Sequence, residues 1–148
     1  MVARGALIRA GVKWLDFRSC PVNPDVIPLM AYRVHFHSTS LDALDSGMPF
    51  RDLMRNATPV GTCSHYMAGH PAMRSLLDDG HPIAGAKHRL VDPHYRYPTE
   101  LHEILAQLEK LRDTDFKGDE FSEYEIAGFI TACKACIETG TVMIVTLR

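Results

Sequence analysis

Ala31-Tyr32-Arg33-Val34-His35-Phe36-His37 alternates apolar and polar side chains without a break. Successive side chains of a β-strand point to opposite faces, so Tyr32, Val34 and Phe36 share one face and Arg33, His35 and His37 the other. The stretch predicts a strand with one buried and one wetted face. Its counterpart is Thr141-Val142-Met143-Ile144-Val145-Thr146-Leu147, apolar at nearly every position and rich in β-branched residues. That composition predicts a strand covered on both faces or central in a sheet. Helical signals fill the sequence between the two. The expected fold class is therefore α+β, with a small mixed or antiparallel sheet that pairs strands 31–37 and 141–147 centrally. Two long C-terminal helices are expected to pack on one face of it.

The first of those helices is announced by Leu101, Ile104, Leu105, Leu108 and Leu111 at steps of three and four, with Thr99 as the expected N-cap. The second spans about 120–139, with Ile126, Phe129, Ile130, Cys133 and Ile137 on one stripe and Gly140 in the terminating position. Shorter pieces come earlier. Ser38, Thr39 and Ser40 offer capping oxygens ahead of Leu41 and Leu44; Phe50, Leu53 and Met54 mark a second piece; Pro71 opens a third that holds Met73, Leu76 and Leu77 and stops at Gly80. Residues 56–70 and 80–98 are rich in Gly, Pro, Ser and Thr and read as loop.

Residues 1–29 differ from the rest. Arg4, Arg9, Lys13 and Arg18 make them basic, Leu7, Ile8, Val12 and Leu15 form a short helical stripe, and Pro21, Pro24 and Pro28 break regular structure. They are faintly like a transit peptide and unlike a secretory signal. The expected organisation is an N-terminal extension or arm, 1–29, and one domain, 30–148, with a natural start at Met30.

The chain has 148 residues, a formal net charge of −2 with its eight histidines neutral, and 46% hydrophobic residues. Such a chain buries a core without metal or disulfides and is not a disordered tail. A pI near 6.4 excludes a nucleic-acid binder that works through bulk positive charge. No apolar run is long enough to span a bilayer. Four cysteines, Cys20, Cys63, Cys133 and Cys136, are too few for a disulfide scaffold and read as reduced thiols of a cytoplasmic protein.

Four constellations bear on chemistry. His35 and His37 project from the same strand face with Arg33, a pair suited to a metal or an anion, and His65 or His70 would have to join them; these five residues are the candidate ligand-binding set. Cys133-x-x-Cys136 has the spacing of zinc knuckles and redox pairs but lies within an apolar helix, as core thiols do. Six of the eight histidines fall between His65 and His102, without an HExxH pattern. Finally, His37-Ser38-Thr39-Ser40 resembles the opening of some ADP-ribosyltransferase-type folds, in which the His and Thr meet NAD. A glycine-rich phosphate loop and a GxSxG element are both missing from the sequence.

From Met30 onward the layout resembles the YfbM-like family of small bacterial proteins of unknown function. The similarity lies in the opening strand and short helix (Tyr32 to Leu44), the Leu76-Leu77-Asp78-Asp79-Gly80-His81-Pro82-Ile83 turn, the Tyr97-Pro98-Thr99-Glu100 helix entry, and the closing helix, Gly140 and strand. It implies an α+β fold and supplies no activity and no catalytic residues. The expected function is a non-enzymatic interaction or regulatory module, of the immunity type for instance, with another protein as partner and no cofactor, metal, nucleic acid or membrane. The alternatives are a ligand- or metal-binding enzyme that uses the histidine face, and a NAD-using transferase.

Overall fold

The computed structural model describes residues 32–148; the expectations for the 1–29 extension and for Cys20 lie outside the described residues. Five strands form one antiparallel sheet in the order β2-β1-β5-β4-β3. They are β1 (Arg33–Thr39), β2 (Thr58–Ser64), β3 (His81–Pro82), β4 (His94–Arg96) and β5 (Val142–Leu147). The helices are α1 (Leu41–Asp45), α2 (Phe50–Asn56), α3 (Pro71–Asp78), α4 (Pro98–Asp113) and α5 (Glu120–Thr139), with a 3-10 turn at His65–Gly69.

The first and last strands pair directly, Val34 opposite Leu147 and Thr39 opposite Val142. β5 is the middle strand, and Val142 to Val145 are all buried, as their composition requires. On one sheet face Val34, Phe36, Met143, Val145 and Leu147 meet Leu101, Ile104 and Leu108 of α4 and Ile126, Phe129 and Ile130 of α5 in a single core. Phe36 stacks on Phe129 with ring centroids 4.5 Å apart, an aromatic pair of about 0.5–1.5 kcal/mol beyond its burial.

Helix α5 starts with Glu120 and Glu123 near its N-terminus, where negative charge offsets the exposed N–H groups. It ends at Gly140, whose φ of 65° suits glycine, and the N–H groups of Gly140 and Thr141 close back on Ile137 and Cys136. Helix α5 also lies against the outer strand β2, where the two backbones nearly touch. A Cβ on Gly128 would stand 2.0 Å from the Thr62 carbonyl oxygen, and one on Gly61 2.6 Å from the Gly128 carbonyl oxygen.

Three expectations are corrected. Residues 58–64, expected to be loop, form β2: Gly61 and Pro59 masked a strand that needs a bare backbone beside α5 and that bulges against β1 at Phe36/His37. The 80–98 stretch likewise contains β3 and β4. Thr99 does not cap α4. Tyr97 occupies that position, Pro98 opens the helix, and the Glu100 carboxylate accepts the Tyr97 backbone N–H at 2.8 Å. By contrast Ser40 caps α1, accepting from the Ala43 N–H at 3.0 Å.

Candidate functional site

The five proposed ligand residues do not converge. His35 and His37 stay together on the β1 face opposite the core, where their register partners on β5 are Thr146 and Ile144. This face is not simply wet: His37 is only 7% exposed and Ile144 is fully buried. β1 lies between β2 and β5 and is not an edge strand. Burial, then the positive charge of Arg148, then Arg33 for His35 and His35 for His37, hold both imidazoles below their ordinary pKa.

Arg33 leaves that pair. Its Nη2 donates to Thr62 Oγ1 at 3.1 Å and to Glu125 Oε1 of α5 at 2.9 Å. The same carboxylate oxygen accepts the backbone N–H of Ser64 at 2.9 Å, fastening α5 to the outer side of β2. Sequence reading missed Glu125. Its signal was there, because it precedes Phe129 by four residues and so falls on the buried stripe of the helix. Beside it opens a groove of about 310 Å3, floored by Gly61 and Gly128, with Arg33 and Glu125 at one end and the ring of Tyr124 on its rim. Tyr124 is 76% exposed, the most exposed large hydrophobic side chain among the described residues.

His65 lies on the other side of β1, grouped with Val34, Asp78, His94 and Leu147 around a small cavity. Its Nε2 donates to Asp78 Oδ1 at 3.2 Å. His70 is elsewhere again. Nδ1 accepts the Ala72 N–H at 3.2 Å, capping α3, so Nε2 carries the proton and donates to Asp115 at 2.8 Å. A third pair joins His81 Nε2 to Glu100 Oε1 at 2.8 Å, with the rings of Tyr95 and Tyr97 each 5.1 Å from the imidazole. The hydrogen bond to Tyr97 raises the Tyr95 phenol to about 12.

Three of the six histidines from His65 to His102 are thus held in separate pairings, with Asp78, Asp115 and Glu100. None of these acids was identifiable from spacing, because each pair is made by the tertiary fold. Among the described residues no three His, Cys, Asp or Glu side chains are grouped so as to hold a metal ion. The groove beside Tyr124, and a second surface hollow of about 400 Å3 lined by Arg112, Asp113, Lys117 and Glu123, contain no histidine.

Cys63, Cys133 and Cys136 are free and buried. Burial drives the Cys63 thiol far above its ordinary range and the Cys133 thiol to about 12, so neither is a poised nucleophile. The Cys133–Cys136 pair belongs to the core against the sheet. Among the described residues no helix is long and apolar enough to cross a membrane. No family model matches this chain, and comparison with curated proteins and with solved structures likewise gives no match.

Proposed function

We propose that this protein is an interaction module that recognises another protein through the groove between β2 and α5, without chemistry of its own. The observation that carries the reading is Tyr124. A large aromatic ring that is 76% exposed stands beside an arginine and a floor of glycine backbone. Tyrosine and arginine are the side chains that dominate binding energy at protein interfaces. The separation of His65 and His70 from His35 and His37 removes the shared histidine site that the ligand- or metal-binding alternative needs. The cytoplasm is the compartment that suits the free thiols of Cys63, Cys133 and Cys136. Kinship with the YfbM-like proteins remains part of the proposal and rests on the order of elements from β1 to β5.

The test is a photo-crosslinking amino acid placed at Tyr124 and, as a control, at the exposed Lys110 on α4, in cells that make the protein naturally. A defined protein adduct at position 124 that is missing at 110 is expected. With that partner purified, Tyr124→Ala should weaken binding roughly 30-fold, about 2 kcal/mol. Equal crosslinking at both positions, or unchanged affinity of Tyr124→Ala, refutes the reading.

A further inference from the structure

The register of β1 against β5 sets a ladder of polar side chains on the sheet face opposite the core. Arg33 and Arg148 exchange both backbone hydrogen bonds, at 2.9 and 3.0 Å, and so stand directly opposite one another. Further along, His35 faces Thr146 and His37 faces Ile144. Side chains paired in this way have Cβ atoms about 4.5–5.5 Å apart. Like charges placed directly opposite destabilise a sheet, and the two arginines meet this differently. Arg33 turns to Glu125 at 2.9 Å. Arg148 is exposed and makes no ion pair among the described residues.

Arg148 lies towards the imidazoles instead, since its charge is the strongest that acts on either ring. Arg33 acts on His35 and His35 on His37, so every charge felt by the two rings is positive. The neighbouring elements bring no offsetting acid. β2 presents Thr62 opposite His35 and Pro59 opposite His37. Glu125 of α5 is taken up by Arg33 and the Ser64 N–H. On α2, which packs beside β1, Asp52 pairs with Arg55 at 3.4 Å. Asp45 of α1 acts on Tyr95 of β4. Two polar atoms of the ladder, His37 Nδ1 and Thr146 Oγ1, are buried without a partner. A metal cation between the rings would be repelled by this field, whereas an anion would be drawn to it.

We propose that the ladder of His35, His37, Thr146 and Arg148 is a binding site for a tetrahedral oxyanion, a sulfate or phosphate group, held against the Arg148 guanidinium and taken up together with a proton on the imidazoles. The guanidinium presents a fork of N–H donors that matches such a group. An imidazole that gains a proton turns its free ring nitrogen from an acceptor into a second donor. A tetrahedral anion, with acceptor oxygens in several directions, can use donors that arrive from two neighbouring strands. Once it is bound, the positive charge on each ring meets an opposite charge as well as Arg148, so protonation becomes favourable. The site lies on β1 and β5 and does not depend on the Tyr124 groove.

The experiment is an NMR titration of the histidine rings in the full chain, with sulfate added against chloride at constant ionic strength. Sulfate keeps its double charge through mild acid, so only the protein titrates. It should move the His35 and His37 titrations to higher pH by about 1 unit and leave His81 and His102 in place. Its affinity should rise about tenfold for each such unit as pH falls through those titrations. Arg148→Gln keeps the backbone pairing with Arg33 and should abolish both effects, whereas Arg112→Gln at the end of α4 should keep them. Tighter binding of phenyl phosphate than of inorganic phosphate would support a phosphate borne on a larger molecule, and the reverse order a free ion. If Arg148→Gln fails to fold, the selective movement of the two rings in the wild type decides the matter. Equal movement of all the histidines, sulfate affinity indifferent to Arg148→Gln, or one zinc ion bound through both rings would overturn the proposal.

Discussion

Adding one methyl group at Gly128 tests how tightly α5 is held against the sheet. The new Cβ would sit 2.0 Å from the Thr62 carbonyl oxygen and 3.2 Å from its carbon. Ordinary contact needs roughly 3.5 Å, so one backbone has to retreat by more than about 1 Å. Both are backbone atoms of regular elements, and no side chain can swing aside. Overpacking of this kind costs about 1–3 kcal/mol. The retreat also loosens the Phe36–Phe129 stack, worth about 0.5–1.5 kcal/mol. Alanine returns about 1 kcal/mol through its better helix propensity. The balance for Gly128→Ala is a loss of about 2 kcal/mol, or roughly 4–8 °C in Tm for a chain of this size.

Urea unfolding should show a lower midpoint with an unchanged slope. Gly47 supplies the contrast. Its φ is +78° and nothing lies within 4 Å of a Cβ there, so Gly47→Ala costs only backbone strain, about 1–2 kcal/mol, and larger side chains should cost little more. At Gly128 the penalty should climb steeply from Ala to Val. A Gly128→Ala protein as stable as the wild type, or more stable, would refute the close helix–strand approach.

Other outcomes follow from the same structure. Burial holds the folded His94 below its ordinary pKa of 6.5, and His35 and His37 are shifted the same way. The unfolded chain therefore binds more protons in mild acid, and stability should fall as pH drops below about 6.5 towards the folded values, a trend that urea midpoints against pH will show; a flat profile contradicts it. Glu125→Ala should cost about 1–3 kcal/mol in urea, since it leaves the Ser64 N–H unpaired while Arg33 keeps access to water. Glu125→Gln, which keeps an acceptor for that N–H, should cost less. Thiol alkylation followed by mass mapping should leave Cys63, Cys133 and Cys136 unlabelled in the folded protein and label all three once it is unfolded, because they are buried.

The elements legible in the sequence were those whose period matches their environment. β5 is apolar because both its faces are covered, and α4 and α5 show a step of three to four because one face of each meets the sheet. β2 was not legible. Its packing against α5 selects glycine at Gly61, and glycine carries no periodic signal. The end of β1 was blurred for a related reason: Ser38 and Thr39 look like caps but lie in the strand, and only Ser40 caps a helix. Among site residues, strand alternation correctly placed His35 beside His37. It could not foresee that Arg33 would turn away to Glu125, 92 positions later. The pairings of His65 with Asp78 and of His70 with Asp115 are also set by the tertiary fold, and no local pattern encodes them.

The way α5 lies along β2 has a consequence for self-association. An outer strand normally presents a row of free N–H and C=O groups that a strand from another molecule can extend. Here the Ser64 N–H is occupied by Glu125, the Thr62 carbonyl is blocked by Gly128, and Pro59 has no N–H to offer. At the opposite border, β3 is two residues long and one of them is Pro82. Among the described residues the sheet is therefore closed to strand-by-strand growth on both sides, which guards the folded chain against fibre-like polymerisation. Unfastening α5 is the step that would expose β2 to it.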